Sequence, residues 1–463
     1  MFEMLLIVAG LIALGGAVIA FDGSRDVFHP LVFIGPMFAF LYCWMPFQLV
    51  EHNALARFFD EEQLQFVQWL NVLGVLAFVL GCLGAGVRIR KTRFAQRKVN
   101  ARGAQRMLIA SAIIGSLGLT CWLITIHNVG GFTRAFSTSY AGGWDDNGYV
   151  RDGSLLLLVG VMFAVTSLTS GGPRLAGLAL GLAFALPWSA SAVLMGRRGP
   201  TFALIVVLLM SWYFNKGKRP PLFTFGLGGL ALGWLVLFLV TNRQNLYLGS
   251  DFHMKTDVTN IVDKADTGNE FVYGSGTVIS TDRRDHYFWM RRYLAQILVR
   301  PIPSAIWPTK YEDFGVPELL HNAGTGEGFA DALGWQGAPG SAPGIVADLW
   351  VELWWLAVLA MGVLGWTYGR VWRKAVTRGG VWTCQYTILA ALSIYLVMQT
   401  MEAVIFRTLL LSIPCWIAYR QIEARVRIRT RRRLFLSRAE TYAHRVRAPR
   451  ARAIEAFTEA PHA

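Results

Sequence analysis

Residues 66–87 read FVQWLNVLGVLAFVLGCLGAGV, and residues 88–106 read RIRKTRFAQRKVNARGAQR. The first stretch carries no charge and is long enough to cross a hydrocarbon layer, which takes ~17–25 helical residues. The second carries Arg88, Arg90, Lys91, Arg93, Arg97, Lys98, Arg102 and Arg106 and no acid. An apolar span that stops at such a block has the signature of a membrane helix with its basic flank in the cytoplasm. Similar apolar runs recur at 2–20, 29–49, 107–126, 154–171, 175–195, 200–214, 222–241, 344–368, 381–400 and 402–419, those at 154–171 and 200–214 being short. The pattern predicts an all-α polytopic membrane protein with about eleven transmembrane helices.

Composition agrees. The chain of 463 residues is 54% hydrophobic and 16% charged, against roughly 25% charged in soluble domains. A charge near the bilayer centre costs ~2.5–3.5 kcal/mol on insertion scales, so lipid-facing surface excludes it. The net charge of +15 is not a nucleic-acid signature, because the basic residues stand in short blocks between apolar runs. Cys43, Cys82, Cys121, Cys384 and Cys415 all fall inside apolar runs, with no disulfide framework and no metal spacing. The first run lacks a basic leader and a small-residue cleavage site, so it reads as a retained helix.

The charge blocks orient the chain. With 88–106 cytoplasmic, the segments 21–28, 172–174, 215–221, 369–380 and the tail from 420 share that side. Lys216, Lys218 and Arg219, then Arg370, Arg373, Lys374 and Arg378, fit this placement. The opposite loops hold Glu51, Asp60, Glu61 and Glu62, then Asp145, Asp146 and Asp152. The N-terminus is then outside and the C-terminus cytoplasmic. Four regions follow: helices 1–8 over 1–241, a large external loop over 242–343, helices 9–11 over 344–419, and a basic tail over 420–463. The tail's arginines, from Arg425 to Arg433, either dock on anionic lipid heads or serve only to fix topology.

A loop as long as 242–343 should be partly folded. It carries nine basic residues against twelve acids. Residues 285–300 predict an amphipathic helix, with Phe288, Trp289, Tyr293, Ile297 and Val299 mostly on one side, closed by Pro301 and Pro303. It would lie in the membrane interface or cap the bundle. The glycines from Gly324 to Gly344 lack a phosphate-loop arrangement.

Arginines at membrane depth are the sharpest functional signal, because ionisable groups there are functional candidates by default. Arg197 and Arg198 lie between two apolar runs with Gly196 and Gly199 beside them, and the run that follows is short. Arg243 ends the next outward run. Arg407 lies roughly 8 Å inside the last one, where it either pairs with Glu402 or a loop acid or binds a ligand. Together these guanidiniums suit a diphosphate or phosphodiester. Asp348 and Glu352 are four residues apart on one helix face and are candidate bases, as is His321. Arg284, Arg292, Arg300, Lys310, Trp307 and Trp335 are candidate substrate contacts. His286 and His321 have no metal-ligand spacing, and neither metal nor cofactor is expected.

The chain resembles the bacterial oligosaccharide repeat-unit polymerases of the Wzy type, which make O-antigen and exopolysaccharide. The resemblance covers most of the chain, because it rests first on layout. It is carried locally by Gly196-Arg-Arg-Gly-Pro-Thr201, by Pro301-Ile-Pro-Ser-Ala-Ile-Trp-Pro-Thr-Lys310, by Ala342-Pro-Gly with Asp348 and Gly362-Val-Leu-Gly365, and by Ile405-Phe-Arg407. Where the family commonly has Pro-Arg in the loop segment, this chain has Pro303-Ser304. The resemblance implies a GT-C-like, metal-independent glycosyltransferase of the cytoplasmic membrane. Its substrates would be oligosaccharides linked to undecaprenyl diphosphate, with a flippase and a chain-length regulator of the same pathway as partners. The arginines would hold the donor diphosphate, and a loop carboxylate or histidine would accept the proton. An O-antigen ligase-like transferase fits the same layout with a different acceptor. A transporter or flippase would instead predict internal repeats and broken helices at the midplane, and no repeat is evident.

Overall fold

A computed structural model describes residues 1–86, 101–137, 148–195, 197–242, 245–249, 269–322, 327–335 and 342–422. Contacts divide the chain into Met1–Cys415 and Trp416–Ala463. The described residues are helical with no strand. In chain order the principal helices are α1 (Phe2–Ser24), α2 (Pro30–Glu51), α3 (Glu61–Gly84), α4 (Ala101–Asn128), α5 (Gly148–Thr169), α6 (Arg174–Leu194), α7 (Arg198–Lys216) and α8 (Leu222–Asn242). They continue as α9 (Glu270–Arg284), α10 (Arg291–Leu294, running into a π turn at Ala295–Val299), α11 (Gly344–Leu353), α12 (Leu356–Arg378), α13 (Val381–Met398) and α14 (Met401–Ile422).

Nine of these are long and apolar enough to cross a membrane: α1 to α6, α8, α13 and α14. The chain is thus an all-α polytopic membrane protein. The two other expected spans take a different form. α7 is a 19-residue helix with Arg198 at one end and Lys216 at the other. The run 344–368 is broken at Trp354, whose φ of 52° ends α11 before α12 begins. α12 then carries Arg370, Arg373, Lys374 and Arg378 in its last turns.

Local chemistry sets the helix ends and kinks. Asp60 caps α3 in a reciprocal box with Gln63. In α2, Pro46 has no N–H to give the carbonyl of Tyr42, and a π turn occupies Phe40–Trp44. The buried Gln68 of α3 satisfies that carbonyl instead, at 2.8 Å.

Packing brings backbones together where the sequence offers glycine. A Cβ on Gly81 of α3 would fall on the carbonyl of Gly362, and one on Gly365 would fall on that of Phe78. Gly369 meets Cys82 O in the same way. Gly362, Gly365 and Gly369 share one face of α12, so α12 and α3 touch main chain to main chain. Gly118 and Gly160 do the same between α4 and α5, where Ser111 also donates to Gly160 O at 2.7 Å. α5 and α13 are buried over most of their length, and little of α8 is buried.

The segments 21–28, 215–221 and 369–380 converge at one end of the bundle. Asp26, fully buried, accepts from Arg219 Nε at 2.6 Å and from Trp372 Nε1 at 3.1 Å. Tyr386 donates to the neighbouring Phe28 carbonyl, and the Arg219 guanidinium lies 4.2 Å from the Phe214 ring centroid. These segments lie on one side, as the charge pattern predicts. The basic run 88–100 and the tail from 423 lie outside the described residues.

The loop 242–343 departs from its sequence reading. The helix expected over 285–300 exists only from Arg291, because Asp285, Trp289 and Met290 take φ of 48°, 50° and 69°. Phe288, Tyr293 and Val299 are buried, whereas Trp289 and Ile297 face out. The main loop helix is α9, just before it. Its run Glu270–Thr281 is buried all round despite a polar sequence. Burial is tolerable because Ser275, Thr277 and Thr281 each donate to a carbonyl one turn back, at 2.7–2.8 Å. Asn269 caps the helix, accepting from Phe271 N at 2.9 Å.

Gly365→Val should force α3 and α12 apart and cost about 1–3 kcal/mol or more. The thermal midpoint of the detergent-solubilised protein falls accordingly. Gly226→Val on α8, where a Cβ meets nothing within 4 Å, leaves the midpoint unchanged.

Candidate functional site

At the end of the bundle away from Asp26, the loop is held to the helices by a buried charge network. Asp348 and Glu352 lie one turn apart on α11, and both are fully buried. Arg292 of α10 reaches both, Nη2 to Asp348 Oδ1 at 2.8 Å and Nε to Glu352 Oε1 at 2.6 Å. The other oxygen of Asp348 accepts from Tyr293 Oη at 2.5 Å and from the Met401 N–H at 2.8 Å. One carboxylate therefore ties α10, α11 and the start of α14 together. Burial opposes the charge on Arg292, but Asp348 and Glu352 outweigh it and raise its pKa. Burial and the Asp348 carboxylate likewise hold the Tyr293 hydroxyl well above its ordinary range. The turn that delivers Arg292 is anchored by Phe288, whose N–H donates to Val351 O at 2.9 Å and whose ring packs on Leu319 and Val351.

The network continues outward. Gln296 donates to Glu402, and Arg300 Nη1 donates to Gln296 Oε1 at 2.8 Å. Arg300 pairs with Asp152 at the start of α5 and lies 4.0 Å from the Phe406 ring centroid. Lys310 is fully buried. Its ammonium donates to Tyr149 Oη at 2.6 Å and to the carbonyls of Val299, Arg300 and Ile302. A lysine so enclosed closes the end of the π turn and joins the loop to α5.

The arginines singled out at membrane depth come to the same end. Arg197 caps α7 and Arg198 opens it. Arg198 pairs with Glu270, the first residue of α9. Arg407 lies within α14, its guanidinium carbon 4.5 Å from the Tyr395 ring centroid. That ring abuts Gly199, where a Cβ would fall on the phenol. Residues about two hundred positions apart in the sequence thus meet on one tyrosine. Arg407 donates to Ala403 O at 3.0 Å. Among the described residues no carboxylate lies within 4.0 Å of it, although Arg198, Arg292 and Arg300 each have one. The pairing with Glu402 open from the sequence does not form, since Glu402 takes Gln296 instead.

The remaining candidates separate. Trp307 donates to the Asp313 carboxylate at 2.5 Å; with Thr309 it holds that acid below its usual pKa. Trp335 packs among Phe58, Phe59 and Phe329. Trp307 is thus engaged within the loop, and Trp335 packs the loop against the segment before α3. Arg284 donates to Ser280 O at 3.0 Å. His321 is exposed on the short helix Val316–Asn322. Arg243 lies outside the described residues. Asp348 and Glu352, expected as candidate bases, are the acids that hold Arg292. Glu270, Tyr293, Tyr395 and Tyr149 escaped the sequence reading, because each acts through a distant partner that spacing does not reveal.

Comparison with protein-family models, with curated proteins and with solved structures gave no match.

Arg292→Met should leave two buried carboxylates without their cation and cost about 3–5 kcal/mol. Thermal unfolding in detergent reads this. Replacing the triad together, Arg292→Met with Asp348→Leu and Glu352→Leu, recovers part of the loss.

Proposed function

We propose that the protein is an oligosaccharide repeat-unit polymerase of the cytoplasmic membrane, with about eleven spans, a GT-C-like fold, its N-terminus outside and its C-terminus in the cytoplasm. The observation that carries this reading is Arg407, a guanidinium in an apolar helix with no carboxylate partner among the described residues, beside the turn that holds Arg197 and Arg198. A cation so placed is costly unless it has work to do. A guanidinium presents a planar fork of donors that matches phosphoryl oxygens. This end of the bundle is opposite the basic segments, so the charge pattern makes it the outer end, where this reading has lipid-linked sugars joined.

In this reading the donor is a glycan on undecaprenyl diphosphate. The acceptor hydroxyl oxygen of a second lipid-linked unit bonds to the donor's anomeric carbon. The bond from that carbon to the diphosphate oxygen breaks, and undecaprenyl diphosphate leaves with the electron pair. Arg407, with Arg197 at the start of the neighbouring α7, stabilises the charge growing on the diphosphate. Asp348 has both oxygens engaged within the protein and Glu352 gives one of its two to Arg292, and His321, exposed on the loop, is the candidate that takes the proton. No metal is required. A chain-length regulator and a flippase would be its pathway partners.

The test is to supply the purified protein in lipid nanodiscs with repeat units on undecaprenyl diphosphate. A ladder of lipid-borne polymer is expected, and Arg407→Ala reduces its rate about 10²–10³-fold, as loss of one transition-state donor does. Transfer only to a separately added acceptor would replace the polymerase by a ligase. No consumption of the lipid-linked donor would overturn both.

A further inference from the structure

Tyr395 sits in the last turn of α13 with 6% of its surface exposed. One side of the ring faces the guanidinium of Arg407, 4.5 Å from the centroid. The phenol tip lies against the first turn of α7, where a Cβ at Gly199 would come within 2.6 Å of its Oη. Only glycine at 199 leaves room for the ring, and the ring is the face over which Arg407 lies. α7, α13 and α14 contribute one residue each to this stack.

The chemistry of the stack is directional. A guanidinium over an aromatic face is held through its plane by the ring's quadrupole, which uses none of its N–H donors. Arginine has five such donors in a fixed fork, and among the described residues one bond is made, to Ala403 O. The aromatic face holds the guanidinium without a hydrogen bond, and among the described residues its other donors make none that would compete with an anion. A carboxylate partner would have held the arginine equally well but consumed those donors. The same end shows that contrast, since Arg292 spends Nε and Nη2 on Asp348 and Glu352.

We propose that Tyr395 is a positioning residue that holds Arg407 as the anion receptor of the site, with Gly199 as the notch that admits its ring. This rests on the reading of Arg407 as a diphosphate ligand. Tyr395 touches no reacting atom; it sets the plane in which Arg407 receives two phosphoryl oxygens.

The test measures binding of farnesyl diphosphate, a short prenyl diphosphate, to the full-length protein in nanodiscs by isothermal titration. Wild type binds, and Arg407→Ala abolishes binding. Tyr395→Phe, which keeps the ring, binds within about threefold of wild type, whereas Tyr395→Leu weakens binding about tenfold, within the range of a desolvated cation–π contact. Gly199→Ala retains Tyr395 and Arg407 but displaces the ring, so it reproduces the Leu variant's loss and serves if Tyr395→Leu does not fold. If Arg407→Ala loses binding while Tyr395→Leu and Gly199→Ala keep it, the positioning role is overturned and the diphosphate reading stands. Phe as weak as Leu would also overturn it, by assigning the effect to the hydroxyl. Absence of binding by wild type would overturn both.

Discussion

Two carboxylates on one face of a helix, both sealed from water, set a condition that the neighbouring structure must meet. Taking an ion out of water costs several kcal/mol even after relaxation, so Asp348 and Glu352 are admissible only with a cation between them. Arg292 supplies it, and the loop must turn sharply to bring it there. Trp289 and Met290 accept left-handed backbone at that turn, a strain of roughly 1–2 kcal/mol per residue. The spare oxygen of Asp348 then accepts from Tyr293 and from the first peptide of α14. The helix that carries Arg407 is thereby registered against the loop and α11. The ion cluster is a positional device, and the glycine contacts between α3 and α12 hold the bundle on which it rests.

This division of labour also bears on the reading of Asp348 as a base. A base must be free to take a proton from substrate, and Asp348 has both oxygens engaged within the protein. The arginines divide similarly. Arg198, Arg292 and Arg300 each meet a carboxylate and join elements together. Arg407 meets an aromatic ring and keeps donors available. The sequence presents four arginines of one chemical type, and their partners divide them into three paired with carboxylates and one set against a ring.

The spans were legible because a lipid-facing helix must be apolar along its length, and runs such as 66–87 leave little choice. The common side of 21–28, 215–221 and 369–380 was legible from charge, and Asp26, Arg219 and Trp372 bring those segments into contact. α9 was not legible. Its serines and threonines resemble a solvated loop, and only their bonds to carbonyls one turn back permit burial. Residues 285–300 were misread because helical periodicity says nothing of the left-handed residues that interrupt it. At the site, Arg197, Arg198 and Arg407 could be picked out singly by their depth. Tyr395 and Glu270 could not, because a tyrosine or a glutamate gains its meaning from a partner far away in sequence.

The most direct measurement is a structure of the protein with a prenyl diphosphate bound in nanodiscs. The account predicts phosphoryl oxygens about 2.7–2.9 Å from the Arg407 nitrogens, as charge-assisted bonds require. Arg407 would still be stacked on Tyr395, and Arg292 still bonded to Asp348 and Glu352. A diphosphate bound away from Arg407, or bound by Arg292 after it has left its two acids, would contradict it.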